Sequence, residues 1–286
     1  MWSKSTELLF FNESLKKVSK EQLFYITEDN QYLSYWPNNY TGKKTTLQSR
    51  NSLIGNFSEK WATKLISNTI EDDSLHVLQN VQCEQISLNY RSPADIVVST
   101  KNKTKLKPKH IRMIFEVKMS LVWNWKLDIK TNRISEIGDY KTHQGSPGLL
   151  RSDSLLKAIG KCINIRISDY SSSKIPIVIL TNTPITETSS IKADNLKTSG
   201  IIQGIWSINS NPLNNEETIK TTQKGGFKRF DNQSELKRDI NILLNKNYNF
   251  FSSMKSEFEL GKIIELANSK ESYDEKGTEF LKMIKV

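Results

Sequence analysis

The sequence predicts a mixed α/β or α+β fold, with a small central sheet flanked by helices on both sides. Three observations point there. Short β-branched runs alternate with segments of helical period. No apolar run approaches the roughly 18 residues of a membrane helix. Hydrophobic residues make up 36% and aromatics 9% of the 286 residues, enough to bury a core.

The elements follow in order. Residues 1–50 are polar and aromatic without a clear period, and read as an N-terminal arm or small subdomain. A helix is predicted from Glu59 to Ile70, capped by Asn56 or Ser58, because Trp61, Ala62, Leu65, Ile66 and Ile70 share a face. Glu59 lies about 20° from Ile66 on that wheel, so its carboxylate borders the buried face. Three strand-like runs come next: Val81 to Tyr90, Ala94 to Ser99 and Ile111 to Lys118. The last two are joined by the lysine-rich loop KNKTKLKPKH. A helix is predicted over Asp153 to Ser168, with Ser152 or Asp153 as its cap. Buried strands are expected at Ile175 to Leu180 and at Ile201 to Ile208. Gln233 to Leu244 is an amphipathic helix opened by Asn232 or Ser234, and Met254 to Asn268 is another. The organisation is then an arm (1–50), a core with its loops (51–250) and a C-terminal helical segment (251–286). There is no internal repeat.

Charge narrows the function. Lys and Arg number 41 against 31 Asp and Glu, a net charge of +10. Residues 231–286 hold 9 basic and 10 acidic side chains, so residues 1–230 carry the whole excess, 32 against 21. A concentrated positive field attracts a polyanion, most often nucleic acid. A Lys-, Asn- and Ile-rich composition of low-GC origin would produce the same count. Two cysteines, Cys83 and Cys162, make neither a disulfide framework nor a Cys-based zinc site. The first residues, MWSKSTELLFFNESLKK, break their apolar patch with Lys and Glu, unlike a signal peptide. An intracellular protein that does not engage a membrane is the expectation.

The residues that carry chemistry are Pro93-Ala94-Asp95 and Glu116-Val117-Lys118, with 20 residues between Asp95 and Glu116. Glu116 and Lys118 are two apart on one strand and point to the same face. Asp95 begins the neighbouring strand, so two carboxylates and an ammonium converge at one end of a sheet. Carboxylates without sulfur or imidazole make a hard oxygen site suited to Mg2+. Such an ion polarises a phosphoryl oxygen and activates water, and the ammonium stabilises charge growing on phosphorus. The bland alternative is an ordinary ion pair on a solvated face, which the apolar neighbours Ile114, Phe115 and Val117 disfavour.

On these residues the chain resembles the PD-(D/E)xK nuclease superfamily, and within it the type II restriction endonucleases. Ala94 intervenes where the simplest motif has Pro directly before Asp. The segment DSLLKAIGKCINIR matches the helix after the motif strand, and KGGFKRFDNQSELKRDI is similar to a Gly-Gly-Phe turn feeding a helix. The likeness covers roughly residues 50–245. It implies a restriction-endonuclease-like core, Asp95, Glu116 and Lys118 as catalytic residues, and Mg2+ held by Asp95, Glu116 and Glu59. A helix-start Glu59 is equally explained by the helix dipole. It also implies double-stranded DNA as substrate, a homodimer, a prokaryotic cytoplasmic setting, and a cognate DNA methyltransferase as functional partner. The alternatives are a nuclease of this superfamily serving repair or transposition, or a DNA-binding protein that never cuts.

Two loops are candidate DNA contacts. Lys101 to Arg112 holds five lysines, of which Lys103 and Lys105 are read as phosphate contacts against the plainer reading of a solvated loop. Tyr140 to Arg151 offers Lys141, His143, Gln144 and Arg151 to base edges, or is a plain connection. Trp123 and Trp125 read as core packing. Three histidines without a near neighbour argue against a zinc or HNH nuclease, and no Gly-rich loop ends in Lys-Ser/Thr to support ATP-driven action within this chain.

Overall fold

A computed structural model describes residues 1–251 and 255–284. Six strands form the main sheet: β3 (His76–Val81), β4 (Ala94–Ser99), β5 (Ile111–Lys118), β8 (Ile177–Thr181), β9 (Gly204–Ser207) and β10 (Phe227–Arg229), in the order β10-β9-β8-β5-β4-β3. The β3-β4-β5 half is an antiparallel meander. From β5 onward every pairing is parallel. The parallel half needs crossovers, and these are α3 (Ser152–Ser168) between β5 and β8 and α4 (Glu187–Thr198) between β8 and β9.

Alternation along the strands splits the core in two. Ile96, Val98, Met113, Phe115 and Val117 face a core shared with α2 (Gln48–Ser67) and α5 (Gln233–Leu244). Val97 and Ile114 face the opposite core, built with α3 and α4 through Leu155, Ala158, Cys162, Ile165 and Ala193. Glu116 and Lys118 share the parity of Ile114, so they fall on the α3 side.

Residues 1–50 and the segment after β5 build a second, antiparallel sheet. Its strands are β1 (Tyr25–Ile26), β2 (Tyr32–Leu33), β6 (Asn124–Asp128) and β7 (Arg133–Gly138), in the order β1-β2-β6-β7. Helix α1 (Lys4–Ser14) and its flanks insert Trp2, Phe10, Phe11 and Phe24 into the α2-side core. Burying each such ring contributes about 1.5–3 kcal/mol. Trp123 and Trp125 are buried as well.

Several boundaries differ from those the sequence predicts. Helix α2 starts at Gln48, eleven residues before Glu59, and neither Asn56 nor Ser58 caps it. Leu53, Ile54 and Phe57 prolong its apolar stripe, and Phe57 packs edge-on against Trp2 and Phe10. The first strand of the meander is His76–Val81, not Val81 to Tyr90. The latter run folds into a 3₁₀ turn over Glu84–Ile86, closed by Cys83 N–H bonding to the Leu88 carbonyl at 2.7 Å. Arg151, not Ser152 or Asp153, precedes α3. The Gly-Gly-Phe turn feeds the short strand β10 before α5, and Gly226 packs so closely on the Ala193 backbone that a Cβ has no room. Asn232 caps α5 by accepting from Glu235 N–H, as its sequence position predicts. Two C-terminal helices follow, α6 (Glu257–Asn268) and α7 (Tyr273–Ile284). Met254, the predicted start of the first, lies outside the described residues. Among the described residues, no helix is long and apolar enough to cross a membrane.

One carboxylate ties α1 to the chain that leads into β6. Glu7 of α1 is fully buried and accepts from the indole N–H of Trp2 and of Trp125 at 3.1 and 2.8 Å. It also accepts from Val122 N–H at 2.6 Å and Trp123 N–H at 3.3 Å. Burial outweighs these four donors and pushes its pKa up to about 7. With its folded value above its unfolded one, the contribution is complete below about pH 4.5 and is lost as pH rises through about 7. Glu7→Gln removes the titration. The melting-temperature advantage of the parent over this variant is therefore expected to shrink between pH 5 and 8, by up to roughly 3 kcal/mol in stability. A pH-independent difference would show that Glu7 does not titrate in this range.

Candidate active site

The meander register sets Ile96 opposite Phe115. Continued by one residue, it sets Asp95 opposite Glu116, on the face that carries Lys118. Asp95 is fixed by the β5 backbone, because its Oδ2 accepts from Val117 N–H at 2.7 Å. Lys118 Nζ donates to Glu116 Oε1 and to the Val117 carbonyl at 3.1 Å, and lies 3.8 Å from Asp95 Oδ2. The predicted Asp95, Glu116 and Lys118 are thus brought together. They sit at the carboxyl end of the parallel strands β5 and β8, where open α/β sheets leave a crevice for ligands.

A fourth charge completes the group. Lys161 of α3 reaches Asp95 Oδ1 at 2.8 Å and Glu116 Oε2 at 2.6 Å, bridging the two acids. Nothing in the sequence reading singled it out. A signal was present: Lys161 stands three residues after Ala158 and four before Ile165, both buried, so the lysine lies on the core-facing stripe of α3. A lysine there needs an acidic partner in the sheet below it.

The electrostatics follow from burial. Glu116 is only 2% exposed. Burial and the neighbouring Asp95 raise its pKa, and the two ammonium groups oppose that rise. Burial works to lower the pKa of Lys161, but Glu116 and Asp95 outweigh it and hold the group above the ordinary lysine value. The adjacent Cys162 thiol is pushed up to about 12 by burial and by Glu116, so it is inert as a nucleophile.

Glu59 borders this group without joining it. It lies in the middle of α2, so the dipole explanation for an acid at a helix start does not apply. Burial first, then Asp95, raises its pKa, while Lys118 and Lys161 oppose this. Among the described residues its carboxylate has no hydrogen-bond or ion-pair partner. Also among the described residues, no group of three or more His, Cys, Asp or Glu is gathered to hold a metal. Mg2+ does not require one, since it keeps several waters and takes one or two protein carboxylates together with substrate phosphate. Asp95 and Glu116 fit such an ion. They are all-oxygen, hard donors, and Glu116 is too buried to stay ionised without a cation beside it. Lys118 and Lys161 both place an ammonium against it.

The predicted DNA contacts are placed less uniformly. His143 is 4% exposed, stacks on Tyr35 at 3.8 Å, and burial brings its pKa down to about 4. A buried neutral ring cannot reach a groove. Gln144 is exposed, but its side-chain amide donates to the carbonyls of Pro37, Asn38 and Tyr40 at 2.8, 3.1 and 2.8 Å. Both its hydrogens therefore staple the 37–40 loop to the chain after β7. Lys141 is exposed and pairs with Glu216, a contact worth about 1 kcal/mol or less. Arg151 is exposed and its guanidinium forks onto Asp153 at 3.1 and 3.0 Å. Lys103 and Lys105 are exposed on a loop fastened to Gln82 through the Thr104 carbonyl and Leu106 N–H. That loop connects the ends of β4 and β5 remote from Asp95 and Glu116. The Tyr140 to Arg151 connection does reach the site. Gly148, at φ +50°, turns against Thr183 with the Lys118 carbonyl 3.5 Å from where a Cβ would sit, and Leu149 N–H donates to Thr183 Oγ1 at 3.2 Å.

No family model, curated protein or solved structure matches the chain, so the reading of its chemistry rests on the sequence motif and on this geometry.

Proposed function

We propose that the chain is a Mg2+-dependent endonuclease of the type II restriction kind, hydrolysing phosphodiester bonds in duplex DNA at a short specific sequence. The observation that carries this reading is the meeting of Asp95, Glu116 and Lys118 at one sheet end of a mixed α/β fold, on a chain of net charge +10. Asp95 and Glu116 would hold the ion. When bound, Mg2+ supplies Lewis-acid polarisation of the phosphoryl oxygen and a lowered pKa for water. The chain's own groups do the rest. Asp95 is kept in place by Val117 N–H. Lys118 presents an ammonium beside the two acids, where charge grows on the phosphate oxygens. The buried, apolar setting of Glu116 strengthens each of these interactions relative to water. A homodimer acting on palindromic sites, and a methyltransferase protecting the host, belong to the same proposal.

Lys161 favours a second reading. With it, two acids and two lysines neutralise one another without any metal, as a structural ion cluster in a DNA-binding protein would. Digestion of a plasmid library in Mg2+ and in EDTA, followed by sequencing of the ends, separates the two. Ends at one recurrent sequence in Mg2+ alone are expected. Intact plasmids in both buffers would remove the nuclease reading.

A further inference from the structure

Beside Lys118 the surface opens into a cleft of about 650 Å³. Lys44, Thr45, Thr46 and Asn51, at and just before the start of α2, line one part of it. Ser146 and Arg151 of the connection after β7 line another. Tyr25, Tyr35 and Trp36 contribute aromatic surface. Among the described residues no Asp or Glu lines it.

Arg50 gives this cleft its character. Its side chain lines the cleft although the residue is only 3% exposed, and its guanidinium lies over the rings of Tyr25 and Tyr35 at 4.9 and 5.2 Å. It donates to the Ser34 carbonyl, a neutral partner, and among the described residues it has no ion-pair partner. A buried cation without a carboxylate leaves an uncompensated positive field directed at whatever fills the space. Lys44, exposed and equally without an ion-pair partner among the described residues, adds to that field. Lys118 lines the cleft and also pairs with the two acids.

We infer that this cleft binds the nucleotides adjoining the cleaved bond, and that Asn51 and Thr46 read their bases. The inference rests on the endonuclease reading and adds the position of its specificity. A strand whose phosphate lies at Asp95, Glu116 and Lys118 continues into the cleft, where Lys44 and the Arg50 field meet the next phosphate. Asn can bond adenine with two hydrogen bonds and Thr can bond either a donor or an acceptor on a base edge. Both side chains are exposed and have no side-chain hydrogen-bond partner among the described residues. This moves specificity from His143, which is buried, and Gln144, whose amide holds the 37–40 loop, to the segment before and at the start of α2.

The test uses the full chain carrying Glu116→Gln, which binds without cutting, and a pool of DNA duplexes with a random centre. Sequencing the retained fraction gives a base-preference profile. Asn51→Ala and Thr46→Ala are each expected to flatten one or two adjacent positions, by about 5- to 150-fold per lost pair, and to leave the other positions unchanged. Lys44→Ala should lower retention of all sequences alike and reduce the salt slope by about 1. Because the three residues are exposed, melting temperatures should stay unchanged, which separates lost binding from lost folding. A profile and salt slope unaltered in all three variants would overturn the inference and leave the nuclease reading standing. A featureless profile from the Glu116→Gln chain itself would overturn it too. No retained duplex at all would remove both.

Discussion

Replacing Glu116 by alanine is expected to abolish Mg2+-dependent cleavage, with Asp95→Ala close behind, each by on the order of 10³-fold or more. Several kcal/mol of metal-borne charge stabilisation is lost with either carboxylate. The two variants differ in what they leave. Glu116→Ala leaves Lys118 and Lys161 facing Asp95 alone, so the buried group carries a surplus positive charge. Asp95→Ala also frees Val117 N–H, which then lacks its acceptor at the end of β5. That orphaned donor costs about 1–3 kcal/mol of stability in addition to the lost activity. Binding to duplex DNA should remain measurable in both, because affinity rests mainly on phosphate and base contacts elsewhere. Lys118→Ala should fall by about two orders of magnitude, the loss of one preorganised donor. Single-turnover cleavage alongside filter binding checks all three. Near-parent turnover in Glu116→Ala would take the site away from this sheet end.

The sheet end was legible because strand period is short and strict. Once Ala94 to Ser99 and Ile111 to Lys118 read as neighbouring strands, parity alone puts Glu116 and Lys118 on one face, and a two-strand register puts Asp95 opposite. Glu59 and Lys161 were harder, for opposite reasons. For Glu59 the search for a cap fixed the helix start too late, because Gly55 and Asn56 interrupt an apolar stripe that packing against Trp2 and Phe10 carries through. For Lys161 the helix is legible over Asp153 to Ser168, but which of its faces meets the sheet is not read from the sequence. Its partners lie more than forty residues away, and only the α3 crossover brings them together. The second sheet stayed hidden because its strands β1 and β2 are two residues long, and β2 pairs with β6 more than ninety residues further on. The placement of His143 and Gln144 was not legible, because residue type indicates what a side chain can bond, while burial and nearby carbonyls decide what it does bond.

Lys161→Met is expected to lower the metal-free melting temperature by roughly 10 °C. Methionine keeps the length and apolar stem of lysine, so packing on α3 changes little. The charge is the difference. Lys161 bridges two carboxylates, one of them buried, and removing one partner of a buried ion pair costs about 3–5 kcal/mol. At about 2–4 °C per kcal/mol for a chain of this size, that gives the stated fall. Added Mg2+ should then restore much of the loss, since a divalent cation between Asp95 and Glu116 does what the ammonium did. In the parent the same Mg2+ should stabilise less, because Lys161 already holds that place and must yield it. Melting curves of both proteins across a Mg2+ titration measure the contrast without any cleavage assay. Were Lys161 purely structural beside acids that never meet a metal, the variant would fall by the same amount and Mg2+ would leave it there. That outcome would support the non-cutting DNA-binding protein, whereas a larger Mg2+ stabilisation in the variant than in the parent identifies Asp95 and Glu116 as a cation site that Lys161 fills until the ion arrives.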